Sequence, residues 1–206
     1  FIVIIASALM ITFNVRHLFN NVWEALQQSF FQVGSIITTC GYATTDFDLW
    51  PETSKMILVL LMFIGACAGS TGGGFKISRL LILCKAIPKQ LSLVIHPREV
   101  KVIRMDGKPI DHNTLRSTNV YLAIYFFILL VSTLLISVDN FNLTTNFTAV
   151  ASTLNNIGPG LDGVGPTRNF GMYSDFSKFV LMFDMLAGRL ELYPLLILFM
   201  PSLWRR

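Results

Sequence analysis

Charge is scarce in this sequence. Asp, Glu, Lys and Arg together make up 14% of its 206 residues, while 53% are hydrophobic. A soluble domain carries about 25% charged residues to cover its surface. The mean hydropathy is +0.60, so a chain that meets lipid rather than water is expected. Cysteine is equally thin: Cys40, Cys67 and Cys84 have no C-x-x-C spacing and lie in or beside apolar stretches. Neither a disulfide framework nor a zinc site is supported. His17, His96 and His112 are scattered, without a partner at ligand spacing. An initiator Met is also missing. The chain opens at Phe1 inside an apolar run, and it reads as the C-terminal fragment of a longer protein.

Positive charge is absent from one stretch and gathered in another. From Thr38 to Thr53 there is no Lys or Arg, but Asp46, Asp48 and Glu52 are present. Lys85, Lys89, Arg98, Lys101, Arg104, Lys108 and Arg116 crowd together, and the chain ends in Arg205 and Arg206. Lys and Arg gather on the cytoplasmic side of membrane proteins. Residues 86–116 and the C-terminus are therefore expected inside, and residues 38–55 outside. Two hydrophobic spans flank the basic stretch, which argues against a nucleic-acid partner.

Four spans are expected. Residues 1–13 end one membrane helix. Residues 56–83 start as a second, then meet Ser70-Thr71-Gly72-Gly73-Gly74. Residues 117–138 carry no charge and exceed the roughly 20 residues that cross a bilayer. Residues 176–203 are apolar but contain Asp184, Arg189 and Glu191. Between the members of each pair lies a stretch too short and mixed to cross. Each opens as a short helix and ends in Thr, Asn and Gly. Irregular backbone at membrane depth is tolerated only where protein or water surrounds it, which suggests a pore lining.

An internal repeat joins these stretches. Val33, Ser35 and Gly41 recur at one constant offset as Val150, Ser152 and Gly158. Lys55 and Gly65 recur as Lys178 and Gly188 at a larger offset, so the second loop is longer. Each unit reads as membrane helix, pore helix, glycine-bearing loop, membrane helix. Residues 1–85 form one such unit with its first helix truncated, 86–116 a cytoplasmic linker, and 117–206 the next unit.

A bare ion in a pore needs oxygens in place of its hydration shell, and rings of backbone carbonyls supply them. Glycine lets the backbone take angles that other residues resist and come close to the axis. Thr38, Thr39, Cys40, Gly41 and Tyr42 fit this need, as do Asn155, Asn156, Ile157, Gly158 and Pro159. The alternative is that Gly41 and Gly158 only make turns.

Two further features stand out. Residues 69–76 (Gly69, Ser70, Thr71, Gly72, Gly73, Gly74, Phe75, Lys76) invite a phosphate-loop reading, but Phe75 separates Gly74 from Lys76 and a membrane span precedes them. That motif needs Gly-Lys in direct succession between a strand and a helix. Successive glycines instead break the helix, at about 1 kcal/mol each relative to Ala. Such a break suits the lining of a cavity, a hinge or a close-packing site. Arg189 lies midway along the last span. A charge there costs about 2.5–3.5 kcal/mol on insertion scales and usually faces a bundle interior or cavity.

The motifs T-T-C-G-Y-A-T-T-D and N-N-I-G-P-G resemble the third and fourth pore loops of the Trk/Ktr/HKT superfamily of K⁺ transporters. H-P-R-E-V, G-K-P-I-D and G-R-L-E-L-Y-P-L-L-I-L-F-M-P-S-L-W-R resemble its TrkH branch. The resemblance runs from about Trp23 to the C-terminus. It implies an all-α integral membrane fold, with K⁺-channel-like helix–loop–helix repeats around a central pore. Gly41 and Gly158 match the key filter glycines. The backbone carbonyls of Thr39, Cys40, Asn156 and Ile157 would hold K⁺, the transported ion, and no organic cofactor is implied. Neither loop is a full T-V-G-Y-G, which implies looser selectivity than a K⁺ channel has. The glycine-rich segment resembles the family's intramembrane gate, and Arg189 matches an Arg that projects toward the permeation path. A structural ion pair is the alternative role for Arg189.

The resemblance further implies two upstream repeats of the same protein, a homodimer and a cytosolic nucleotide-binding regulatory subunit. It places the protein in the cell (inner) membrane as a multi-pass K⁺ uptake protein, described in the family both as symporter and as gated channel. A Na⁺/K⁺-permeable transporter and a non-conducting membrane sensor or scaffold are the competing readings. A membrane enzyme would need a nucleophile–base pair or metal cluster within a span, and no such grouping is seen.

Overall fold

The computed structural model describes residues 1–65, 67, 70, 72–96, 103–105 and 108–190. Seven α-helices account for most of them. Helix α1 (Ile2–Val15) is apolar throughout and runs into a short 3-10 turn. Helix α2 (Val22–Ile37) is amphipathic and buries Ala25, Ser29, Gln32, Val33 and Ile36. Helix α3 (Glu52–Ile64) stops at Gly65, whose φ of 65° suits a residue without a Cβ. Helix α4 (Ile77–Ile95) follows the glycine-rich segment. A small antiparallel hairpin, β1 (Arg104–Met105) with β2 (Lys108–Pro109), separates α4 from α5. Helices α5 (His112–Ile136), α6 (Leu143–Leu154) and α7 (Asp175–Leu190) complete the chain as described.

Each expected span is helical as far as the described residues reach. Short helices α2 and α6 stand at the front of the two stretches judged too short to cross. The span expected over 56–83 is two helices with the glycine-rich break between them. Helix α4 continues past residue 85 to Ile95, and its Lys85 donates to the Arg104 carbonyl of the hairpin at 2.9 Å. The last span is helical to Leu190; residues 191–206 lie outside the described residues.

Two large apolar clusters, and a small third one of Ile82, Ala86, Ile103 and Leu115, are present among the described residues. The first joins α1, α2 and α3 through Ala8, Ile11, Val33, Ile36, Leu58 and Met62. The second joins α5, α6 and α7 through Tyr125, Leu129, Val150, Leu154, Leu181 and Ala187. Phe63 of α3 bridges them, with its ring 6.0 Å from Phe147 and 6.4 Å from Tyr125. The outward faces stay apolar: Phe13, Phe127, Leu130, Leu134, Phe179 and Leu186 are all exposed. In water such a surface would drive association, whereas lipid solvates it. Among the described residues one helix, Asn113–Asp139 with its closing turn, is long and apolar enough to cross a bilayer. The architecture is that of an all-α membrane protein.

Candidate functional site

The two short helices end in the same way, and their ends build the site. Thr38 and Asn155 are the C-caps, at φ −84°, ψ −1° and φ −93°, ψ 1°. The next residues, Thr39 and Asn156, turn to φ 57° and 55°. Thr39 N–H donates to Ile36 O at 3.1 Å and Cys40 N–H to Ser35 O at 2.9 Å. Asn156 N–H donates to Thr153 O at 3.0 Å and Ile157 N–H to Ser152 O at 2.9 Å. Both ends are Schellman motifs, a left-handed residue closing two bonds back onto the last turn. Gly41 and Gly158 then follow at φ 80° and 114°. The register is the one that aligned Val33, Ser35 and Gly41 with Val150, Ser152 and Gly158.

This turn spends its N–H groups on the helix and leaves its carbonyls without hydrogen bonds. Among the described residues, the carbonyls of Thr39, Cys40, Asn156 and Ile157 accept no hydrogen bond. Backbone carbonyls are strong acceptors that normally find a partner. The C-terminal end of a helix also carries partial negative charge, which favours a cation beside it. No Lys or Arg lies between Thr38 and Trp50 or between Asn155 and Thr167. Both loops are therefore electronegative, and the groups they leave unbonded are oxygens.

The loops touch. A Cβ on Gly41 would sit 1.8 Å from Ile157 O, so only glycine lets the first loop approach the second this closely. A Cβ on Gly158 would meet nothing within 4 Å. A cavity of about 430 Å³ lies on that side, lined among others by Asn156, Ile157, Gly158, Leu181 and Met185. The segments after the loops are also cross-linked. Asp48 accepts from Asp162 N–H at 3.0 Å and Asp46 from Thr167 Oγ1 at 3.1 Å. Asp46 also caps the following turn through Asp48 N–H at 3.1 Å, so it is a capping residue here. Asp162 accepts from Asn142 and, at 3.1 Å, from Thr145. These hydrogen bonds, that from Asn142 foremost, hold its carboxyl below the usual carboxylate range, and Arg168 acts in the same sense.

The remaining loop residues have other tasks. Thr38 bonds its own helix at Gly34 O, 2.7 Å away. The Tyr42 carbonyl accepts from Ser35 Oγ at 2.6 Å while the ring is exposed. Cys40 is an exposed free thiol, and Pro159 is half-buried. Asn155 is wholly buried, and its side chain turns away from the loop to accept from Tyr125 Oη at 2.9 Å.

The glycine-rich segment packs against the second loop. A Cβ on Gly73 would lie 2.3 Å from Asn155 O, and one on Gly74 would lie 3.2 Å from Asn155 Oδ1 and 3.1 Å from Gly65 Cα. Gly74 and Lys76 have positive φ, 87° and 67°. Gly72 N–H donates to Ser70 Oγ at 3.1 Å. Gly69 and Thr71 lie outside the described residues. Helix α7 reaches the same place from the other side: a Cβ on Gly188 would lie 1.9 Å from Leu154 O. Arg189 follows in the last described turn of α7 and is exposed.

Two buried polar pairs were not apparent in the sequence. One is Tyr125 with Asn155. The other is Ser132, whose hydroxyl donates to the fully buried Asp184 at 2.7 Å. A carboxyl within an apolar span demands a donor, and that demand is the one signal that could have pointed to Ser132 of α5.

Residues 4–206 match the TrkH family, described as cation transport protein. The Trk system potassium uptake protein TrkH of Vibrio parahaemolyticus is 38% identical over 190 residues, 92% of this chain and 39% of that protein. The protein of the same name from Escherichia coli is 37% identical over 191 residues, 91% of this chain and 39% of its own length. The crystal structure of the potassium transporter TrkH from Vibrio parahaemolyticus superposes with a TM-score of 0.90 at 36% identity, covering 99% of this chain and 44% of that one. The chain thus spans about two fifths of the length of the curated relatives it matches. It belongs to the TrkH family of cation transport proteins.

Proposed function

We propose that this chain supplies two of the loops of a K⁺ uptake path, with the carbonyls of Thr39, Cys40, Asn156 and Ile157 as the ion's ligands. One observation carries the reading: two loops of unlike sequence share a backbone that leaves the same carbonyls without hydrogen bonds at the negative ends of two helices. That is what exchange of an ion's hydration shell for protein oxygens requires. K⁺ as the cargo follows from the relatives, which are named potassium uptake proteins.

Two loops do not close a ring. In this reading two further repeats of the same protein complete it, and the open side of Gly158 is where one of them packs. Gly41 shows the mode of contact, a loop glycine against the next loop's carbonyl. The glycine-rich segment beneath Asn155 acts as the gate, with Arg189 on the approach to it. The loops face the outside of the cell membrane, and residues 86–116 and the C-terminus face the cytoplasm. The assembled protein is a homodimer regulated by a cytosolic nucleotide-binding subunit.

The test is growth at limiting K⁺ of an uptake-deficient cell carrying the full-length gene. Growth is expected. A correctly inserted protein that gives no growth, alone or with its regulatory subunit, refutes a conducting role and leaves the sensor or scaffold reading.

A further inference from the structure

We infer that Tyr125 is a positioning residue that joins the glycine-rich segment to the second loop through Asn155, so that the two move as one unit. The inference rests on the ion-conducting reading above and adds a coupling between its gate and its ion preference.

The joint is built from side chains on three elements. Asn155 is wholly buried and held at both ends of its amide: Oδ1 accepts from Tyr125 Oη at 2.9 Å, and Nδ2 donates to Ala151 O at 2.7 Å. Its carbonyl lies against Gly73 and its Oδ1 against Gly74. Moving the glycines therefore frees or presses Asn155. Asn155 is also the C-cap that sets the direction of the loop beginning at Asn156. Tyr125 in turn grips the far end of the glycine-rich segment. Phe75 packs on its ring at 6.2 Å and on that of Tyr121 at 5.8 Å. The two tyrosine rings stack at 6.4 Å, and the Arg79 guanidinium from the first turn of α4 lies 3.9 Å above Tyr121. One residue, Tyr125, thus contacts both the segment that would move and the residue that aims the loop. An apolar cavity of about 270 Å³ borders Phe75, Leu80 and Tyr125, which gives the Phe75 ring room to shift.

Among the described residues the first loop has no such joint. Its C-cap Thr38 bonds only within its own helix. The second loop is also tied to α7, where Asn156 Nδ2 donates to Met185 O at 3.0 Å. The second loop is therefore the one through which a change in the glycine-rich segment reaches the ion's ligands.

Three variants of the full-length protein test this: Tyr125→Phe, which keeps the ring and removes the hydroxyl; Gly73→Ala, which presses on the Asn155 carbonyl; and the double variant. Each is read by hydrogen exchange and by K⁺ and Na⁺ uptake into proteoliposomes. Each single variant is expected to speed exchange in both residues 72–76 and 156–158, and to lower the K⁺ preference about threefold or more. The double variant should be no worse than the worse single one, since contacts acting through one residue do not add. Exchange that changes in only one segment, or preference losses that multiply, would overturn the coupling. Wild-type protein that takes up no K⁺ would instead refute the conducting role, and the exchange data would still decide the joint.

Discussion

Gly41→Ala is the sharpest perturbation of the proposed site. Gly41 stands at φ 80°, where a Cβ would lie 1.8 Å from Ile157 O and 3.0 Å from Ile157 C. The left-handed conformation costs an L-residue about 1–2 kcal/mol. The clash adds to this, since the opposing atoms are backbone and cannot rotate aside; overpacking of this kind costs about 1–3 kcal/mol. The total, roughly 2–5 kcal/mol, is a large part of a typical folding free energy. The chain relieves it by moving the Ile157 carbonyl away by more than an ångström, and Ile157 is a proposed ligand. If only ~1.4 kcal/mol of the displacement reaches the barrier to ion passage, flux falls tenfold. The assay is K⁺ uptake into proteoliposomes holding the full-length variant, with folding followed by size-exclusion chromatography and thermal melting. A folded variant with unchanged flux and K⁺ preference would show that the Gly41–Ile157 contact lies off the ion's path.

Three other outcomes follow from the geometry. Ser132→Ala leaves the buried Asp184 carboxyl without its hydroxyl donor and should destabilise the protein by about 1–3 kcal/mol, read as a lower melting temperature; an unchanged melt would mean that Asp184 is satisfied elsewhere. Because its hydrogen bonds lower the Asp162 pKa in the fold, their contribution is full above the ordinary Asp value of about 3.9 and is lost as pH falls through the lower folded value. Asp162→Asn should therefore melt with less dependence on pH across acid conditions than the parent, and equal slopes would refute this. Arg189→Ala should change the rate of K⁺ uptake more than its preference over Na⁺, because a cation near the path adds a barrier without selecting between monovalent ions; unaltered uptake would rule out a gating role.

Much of the fold could be read before the structure, because lipid leaves few alternatives. The apolar lengths of 1–13, 56–83 and 117–138 and the mixed character of the stretches between them fixed helices and loops. The register drawn from Val33, Ser35 and Gly41 also aligns the helix ends Ile37 and Leu154. The left-handed turns at Thr39 and Asn156 were not legible, since glycine is the usual signal for them and each stands two residues before its glycine. The task of Asn155 was hidden for a different reason. Its partner Tyr125 lies on another helix, and a tyrosine in an apolar span reads first as core. The contact of Gly73 with Asn155 was likewise tertiary. The sequence showed only that the glycines were clustered where a helix should run.

The strain at Thr39 separates two accounts of the loops. A β-branched residue at φ 57° is an outlier, whereas Asn takes this conformation several-fold more readily, and Asn156 holds the equivalent place. If the loops work through their carbonyls, the side chain at this position is free to change while the turn is kept. Thr39→Asn should then relieve about 1 kcal/mol of the left-handed penalty and raise the melting temperature, with K⁺ flux kept within about twofold because the ligand oxygens are unmoved. If the Thr39 hydroxyl were itself a ligand, the same variant would be more stable but would lose flux or K⁺ preference. Strained residues persist where the surroundings over-determine them, often at functional sites. A Thr39→Asn protein that is stable and fully conducting would place the cause of that strain in the carbonyl direction alone. One that is stable and silent would place it in the threonine side chain and refute a ligand set made only of backbone oxygens.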